Sequence, residues 1–361
     1  MFIDIWEWPR NFHRQAVLRG DTMRAQLWPL YQDCWGQFEA NSSKAELLLR
    51  QGRALAESAG EPFWVVFFDY WLADLALWYQ QDFNAGLERA VRAAVEARKP
   101  AYQNWPFTPR VHYTLASAYS AIDPLSYADL IREVLGSLET DLNYDIDVWR
   151  LIPGVEWNLC QARSDAEGIL KAARTALDRS QNDSFRLSGA CDELCYASYF
   201  ARRFEDLLEL GQIGEMHARA AQNRRSNLAS LQLWQAIGAS RTSDTELARR
   251  KLQSALATLA RLGDSPRRAQ IMALPFYYEV VGDLDKALVV RQDQLARAIH
   301  GGNAYNEYCY RLQCCRLSKI MGTLTEADVT AARAALQQLK DPTCYPPLLD
   351  HLLAGDTSEI I

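Results

Sequence analysis

Cys191 and Cys195 stand four residues apart with Asp192 and Glu193 between them. On a helix that spacing puts both thiols on one face. Two thiols beside two carboxylates could hold a metal or cycle as a redox pair. The same residues also serve as small fillers of a helical core, the reading their apolar surroundings favour. Cys309, Cys314 and Cys315 form a similar group, and none of the eight cysteines makes a C-x-x-C pair. The two groups could meet only in a tightly closed array, so zinc is not expected. Asp141, Asp145 and Asp147 gather carboxylates ahead of a helix. A cation could sit there, but a solvated helix N-terminus explains them as well. His13, His112, His217, His300 and His351 are scattered, with no pair at ligand spacing. Phosphate-loop, dinucleotide, nucleophile-elbow and H-E-x-x-H patterns are absent. Nothing sets a nucleophile beside a base, so neither an enzyme, a cofactor nor a metal is expected.

What would position any functional residue here is a period. Asp82-Phe83-Asn84-Ala85-Gly86-Leu87 and Asp283-Leu284-Asp285-Lys286-Ala287-Leu288 share a polar turn, an apolar residue and a small residue three positions later. Equivalent anchors fall at Ser43, Phe83, Leu125, Ala166, Phe204, Thr245, Leu284 and Leu324, at intervals of 38 to 42 residues. A fixed period of this size marks stacked supersecondary units. First helices are expected near 22–39, 63–80, 107–122, 147–163, 186–202, 226–240, 267–281 and 304–321. Second helices are expected near 43–58, 84–98, 126–139, 165–179, 204–220, 245–262, 284–299 and 325–339. Pro62, Pro100, Pro106, Pro109, Pro124, Gly263, Pro266, Gly301, Gly302 and Pro342 punctuate them. Alanine-rich second helices such as 90–95 permit close helix approach.

The stretch Phe63–Tyr79 is the most apolar, but Asp69 and Asp74 within it would be costly in lipid. It is expected to be a repeat helix, and no membrane partner is expected. No alternating strand pattern survives. The expected fold is all-α: a right-handed α-solenoid of about eight helix-turn-helix units in one body over 1–361. Residues 1–21 would form an N-terminal cap, 22–341 the repeats, and 342–361 a C-terminal cap and tail, with cap helices near 9–20 and 345–354.

These units resemble lengthened, divergent tetratricopeptide repeats. Leu115-Ala116-Ser117-Ala118-Tyr119, running on to Ala128, carries that family's Leu, small residue, Tyr and Ala. Tyr278 to Leu288 matches through the turn, while Phe204 to Leu208 and Leu324 to Ala327 match more loosely. The first-helix glycine or alanine of the family is replaced by Asp74, Trp157 and Pro275 in three copies. Units near forty residues are similar in length to those of bacterial peptide-pheromone receptors and some transcription-activator regulatory regions. The resemblance implies first helices that line a concave groove. Counting from the anchors places Trp71, Trp78, Tyr113, Asn158, Asp192, Tyr196, Tyr199, Phe276 and Arg316 on that inner stripe. Trp28, Tyr31, Trp35, Phe38, Phe68 and Arg110 join it. The Lys and Asn clamp with which some co-chaperones hold a C-terminal carboxylate is not reproduced, since Trp71 and Leu75 stand there.

An aromatic-lined groove suits a protein or peptide partner, making the chain an interaction scaffold. The alternative is a regulatory sensor that encloses a small ligand or signalling peptide. A formal charge of -6 gives no general reason to expect nucleic acid. Locally, Arg219 to Arg268 is basic, which leaves an anionic partner as a third reading, but much of it falls on an outer, solvated helix. The opening MFIDIWEWPRNF lacks a basic region followed by a long apolar run, and a reducing cytoplasm is the expectation. An oligomer is compatible with all of this.

Overall fold

The computed structural model describes residues 4–140, 146–221, 225–262 and 271–358, and no strand occurs among them. A leading helix α1 (Glu7–Leu18) precedes the paired elements. The first helices are α2 with α3 (Thr22–Ala25, Leu27–Trp35), α5 (Pro62–Leu75), α7 (Thr108–Ile122), α9 (Ile146–Ala162), α11 (Ser184–Phe200), α13 (Arg225–Arg241), α15 (Ala273–Val280) and α17 (Ala304–Ile320). The second helices are α4 (Ser42–Ser58), α6 (Phe83–Ala97), α8 (Ala128–Thr140), α10 (Ala166–Ser180), α12 (Phe204–Ala220), α14 (Thr245–Leu262), α16 (Leu284–Gly301) and α18 (Glu326–Leu336). A short α19 (Leu348–Ala354) ends the series. Helices next in sequence pack on one another, the order of an all-α helical-repeat solenoid. α5 runs on as a π-helical turn, Ala76–Gln80. The expected start of the seventh first helix, 267–270, lies outside the described residues.

The period has a local cause. Between paired helices a residue adopts a left-handed backbone: Gln81, Ser164, Arg202, Ser243 and Gly282 have φ of 59°, 56°, 56°, 66° and 80°. Four of these are not glycine, so their conformation is held by the packing of both flanking helices. A polar residue follows. The carboxylates of Asp82, Asp165, Asp244 and Asp283 accept the N–H of Ala85, Gly168, Leu247 and Lys286. Each satisfies a free amide of the new helix. Thr325 with Asp328 completes a capping box on α18.

The second helices share a seam. Ala45, Leu49, Gly52 and Ala56 are buried on α4; Gly86, Ala90, Ala93 and Ala97 on α6; Leu207, Gly211, Gly214 and Ala218 on α12. Spacing of four, three and four keeps these residues on one face. Their small size lets first-helix side chains come close. A Cβ added at Gly52 would lie 2.3 Å from Phe68 Cζ, and one at Gly214 2.6 Å from Leu231 Cδ2.

Where the sequence suggests one body, the chain packs as two compact units, 1–119 with 129–152, and 120–128 with 153–361. Pro153, inside α9, marks one of the divisions. The larger unit closes on itself. Tyr345 donates its hydroxyl to Asp123 Oδ1 at 2.6 Å, and Lys340 N donates to Asp123 Oδ2 at 2.8 Å. Asp341 N reaches Ser126 Oγ at 2.9 Å. Leu125 and Ala162 join Tyr305, Tyr308, Leu312, Leu339, Leu349 and Leu352 in one apolar cluster.

Candidate functional site

In the smaller unit the expected aromatic stripe is present and already filled. Trp6, just ahead of α1, stacks on Tyr31 and Trp71 at ring distances of 5.6 and 6.1 Å and meets Phe107 edge-on at 5.4 Å. Trp8 lies 4.9 Å from Trp64 and 5.5 Å from Trp105. Trp71 is therefore 3% exposed, and Tyr31 and Phe68 are buried too. Trp78 is half-buried in the π-helical turn. Aromatic rings placed edge-to-face and offset hold more than their area alone would give. Arg110 stands 5.2 Å over the Trp6 ring and pairs with Asp147 at 2.7 Å. Asp147 is thus the counter-ion of a buried guanidinium rather than part of a cation site; Asp141 and Asp145 lie outside the described residues. Tyr113 donates to the Leu151 carbonyl at 3.2 Å.

In the larger unit the inner-stripe residues tie one repeat to the next. Asn158 donates to Ser120 Oγ at 3.0 Å. Gln161 donates to the Tyr196 hydroxyl at 3.0 Å. Asp192 accepts from Ser230 Oγ at 2.6 Å and Trp234 Nε1 at 2.8 Å. Arg316 pairs with Glu279. Residues one period apart on stacked first helices face each other, so a polar stripe becomes a ladder between repeats. The rings close over one another as well: Tyr199 lies 5.7 Å from Trp234 and 5.0 Å from Phe276, and Tyr196 lies 5.9 Å from Phe276. Tyr196, Tyr199, Phe276 and Arg316 are each 3% exposed or less. The side chains expected to line a groove are packed against one another, with Tyr196 and Tyr199 of α11 meeting Phe276 of α15.

Sequence reasoning missed Arg291. It sits on α16, a second helix, and second helices are expected to face outward. Yet the buried seam of α16 is Ala287, Arg291, Gln294 and Ala298, at the spacing used by the other seams. The middle pair, small or aliphatic elsewhere, is here cationic and polar. Arg291 is 4% exposed and lies 4.7 Å over the Phe276 ring. Comparing seam positions between copies was the available signal.

Burial holds the thiols of the two cysteine groups in their neutral form. Burial pushes Cys191, Cys309 and Cys314 up to about 12 and Cys195 well above its ordinary value. No group of three His, Cys, Asp or Glu side chains gathers as a metal site among the described residues. Among the described residues of the basic segment, four cations have carboxylate partners. Arg219 and Lys251 bind Glu215 at 2.6 and 2.8 Å, and Arg249 binds Glu246 at 2.8 Å. Arg241 stacks 5.2 Å over Phe204. Arg224, Arg267 and Arg268 lie outside the described residues. Among the described residues no helix is long and apolar enough to cross a membrane. Asp69, within the apolar stretch, instead pairs with Arg53 at 2.8 Å and Arg92 at 3.4 Å.

No protein-family model matches this chain, and no curated protein does. Among solved structures it is similar to a circular tandem repeat protein with novel repeat topology and enhanced subunit contact surfaces. That likeness covers 98% of this chain and 86% of the other at 16% identity, with a TM-score of 0.20. At that score the superposition adds nothing to what the helices themselves display.

Proposed function

We propose that this chain is a non-catalytic binding protein, a divergent tetratricopeptide-like sensor that holds a small ligand or short peptide inside its larger unit. The supporting observation is closure. The segment 340–345 returns to 123–126, and α17 and α19 pack with Leu125 and Ala162. Closure steadies any repeat array, and in one that holds a ligand it also shields the ligand and couples its binding to the state of the whole unit. The inner side chains are aromatic and polar together, the mix found in small-molecule sites. The test is thermal unfolding of the full chain against pools of metabolites and short peptides. A stabilisation that grows with the logarithm of ligand excess supports the sensor. Pools that leave the transition unmoved, with a stable protein complex recovered instead, would count against it.

A second reading, a scaffold that docks a partner segment, is favoured by Trp6 and Trp8. Their trough already receives a Trp-x-Trp segment of the chain itself. The buried indole N–H groups of Trp64, Trp71 and Trp105 meet no acceptor there, so a partner strand would gain three donors. A peptide of sequence Ile-Trp-Glu-Trp-Pro should bind a W6A/W8A variant and not the wild type. Binding to neither removes this reading.

A further inference from the structure

The Arg291 guanidinium is charged at any physiological pH, so burial must be offset by partners rather than by loss of its proton. It has too few. Nη1 donates to Gln294 Oε1 at 3.1 Å, but Nε and Nη2 are buried with no hydrogen-bond partner. The carboxylate that acts on it most, Glu279, is bonded through Oε2 to Arg316, and its Oε1 accepts nothing. Glu307 is engaged by Arg311 at 2.9 Å. Within this group two guanidinium charges face one carboxylate, leaving one positive charge in excess. An uncompensated buried cation is among the most expensive features a fold can carry. It also occupies a seam whose counterparts are Gly211 and Gly214, or Ala90 and Ala93. A cation retained there calls for an anion.

We propose that Arg291 anchors a buried site in the larger unit for the carboxylate of a small monocarboxylic acid. The inference rests on the reading of that unit as a ligand holder. Nε–H and Nη2–H point the same way from the planar guanidinium and form its side-on fork. That fork matches the two oxygens of a carboxylate. One excess charge calls for a monoanion rather than a phosphate dianion. Phe276 covers one face of the guanidinium, and the unpartnered fork lies along its edge. Tyr196 on α11 and Cys309, Tyr310 and Cys314 on α17 lie within its electrostatic reach and supply an aromatic and thiol surround for the acid's body. Burial drives the guanidinium below its ordinary value, with Glu279, Tyr310 and Tyr196 opposing.

The experiment is thermal unfolding of the full chain titrated with acetate, benzoate, phosphate or chloride at matched ionic strength. Wild type is compared with Arg291→Met and Arg291→Lys. Acetate or benzoate is expected to stabilise wild type, with phosphate and chloride inert. The half-effect concentration should rise more than about tenfold in Arg291→Met, with Arg291→Lys between, because charge remains but the fork is lost. Without ligand, Arg291→Met should melt no lower than wild type, since it removes an unpaired charge. Should Arg291→Met not fold, or melt well below wild type, Arg291 is a structural partner and the proposal is overturned. A wild type unmoved by both carboxylates, or moved equally by phosphate or chloride, overturns it too. A pool component that stabilises wild type and both variants alike leaves the sensor reading standing and removes this site.

Discussion

At the scale of single residues, Glu215 shows how the polar side chains of this chain are used. Burial alone would raise its carboxyl, but hydrogen bonds from Lys251, Gln232, Gln235 and Arg219 outweigh that and bring it from 4.5 down to about 2. A depressed folded value contributes stability above pH 4.5 that is lost as pH falls toward about 2. The contribution is on the order of 3 kcal/mol. Glu215→Gln should therefore melt well below wild type at pH 7, with the gap closing steadily between pH 4.5 and about 2 in denaturation series. A gap independent of pH would show that lost packing, not charge, is what the variant reports. The same habit runs along the first helices. Asn158, Asp192, Tyr196 and Arg316 each bond to a residue of a neighbouring repeat. Periodicity fixes the direction of a side chain and cannot say what stands opposite it. Trp71 is covered both from within the period, by Tyr31 and Trp35 at 5.0 and 5.5 Å, and from outside it, by Trp6 at 6.1 Å, which lies before the first repeat.

At the scale of elements, the seam of the second helices sets how closely repeats stack, and its small residues were legible as alanine-rich runs. Their consequence is measurable at Gly214. Helix propensity favours alanine over glycine by about 1 kcal/mol in a helix interior. Here an added Cβ would lie 2.6 Å from Leu231 Cδ2 and 2.7 Å from Cys191 Cβ, both on packed first helices. Overpacking of this kind costs about 1–3 kcal/mol, so Gly214→Ala should destabilise despite the gain in propensity. A Cβ added at Gly136, on α8, would meet nothing within 4 Å, and Gly136→Ala should be neutral or stabilising. Chemical denaturation of the two variants checks the pair; equal stabilisation in both would mean the seam tolerates a methyl group. Element boundaries were readable where the turn carries an Asp N-cap, as at Asp82, Asp165, Asp244 and Asp283, because that residue is visible in the sequence; Arg203, ahead of α12, caps nothing. Arg291 was hidden by a rule about elements: assigning whole helices to an inner or outer role ignores that a second helix also has a buried face.

At the scale of the molecule, what sequence could not supply was the return of the chain end to residues 123–126. Those residues lie more than two hundred positions earlier, and no local pattern connects Tyr345 with Asp123. The contact is buried and charge-assisted. Asp123 is 4% exposed and takes donors from Tyr345 and Lys340, while Leu125 N donates back to the Tyr345 hydroxyl at 3.2 Å. Burial and the Asp123 carboxylate both raise the Tyr345 phenol, so it stays a proton donor throughout the working pH range. In an open repeat array the terminal unit frays first, because it has a neighbour on one side only. Closure gives α17 and α18 neighbours on both sides. Hydrogen exchange should then show no graded loss of protection toward α18 in wild type. Tyr345→Phe removes one buried hydrogen bond and leaves Asp123 short of a donor, at a cost of about 1–3 kcal/mol. If closure is what holds the end, that cost falls unevenly: protection should drop across α17, α18 and α19 and stay unchanged in α11 to α13. A uniform drop through the larger unit would mean that it unfolds as one cooperative body. The latch would then add to global stability without guarding the end of the array.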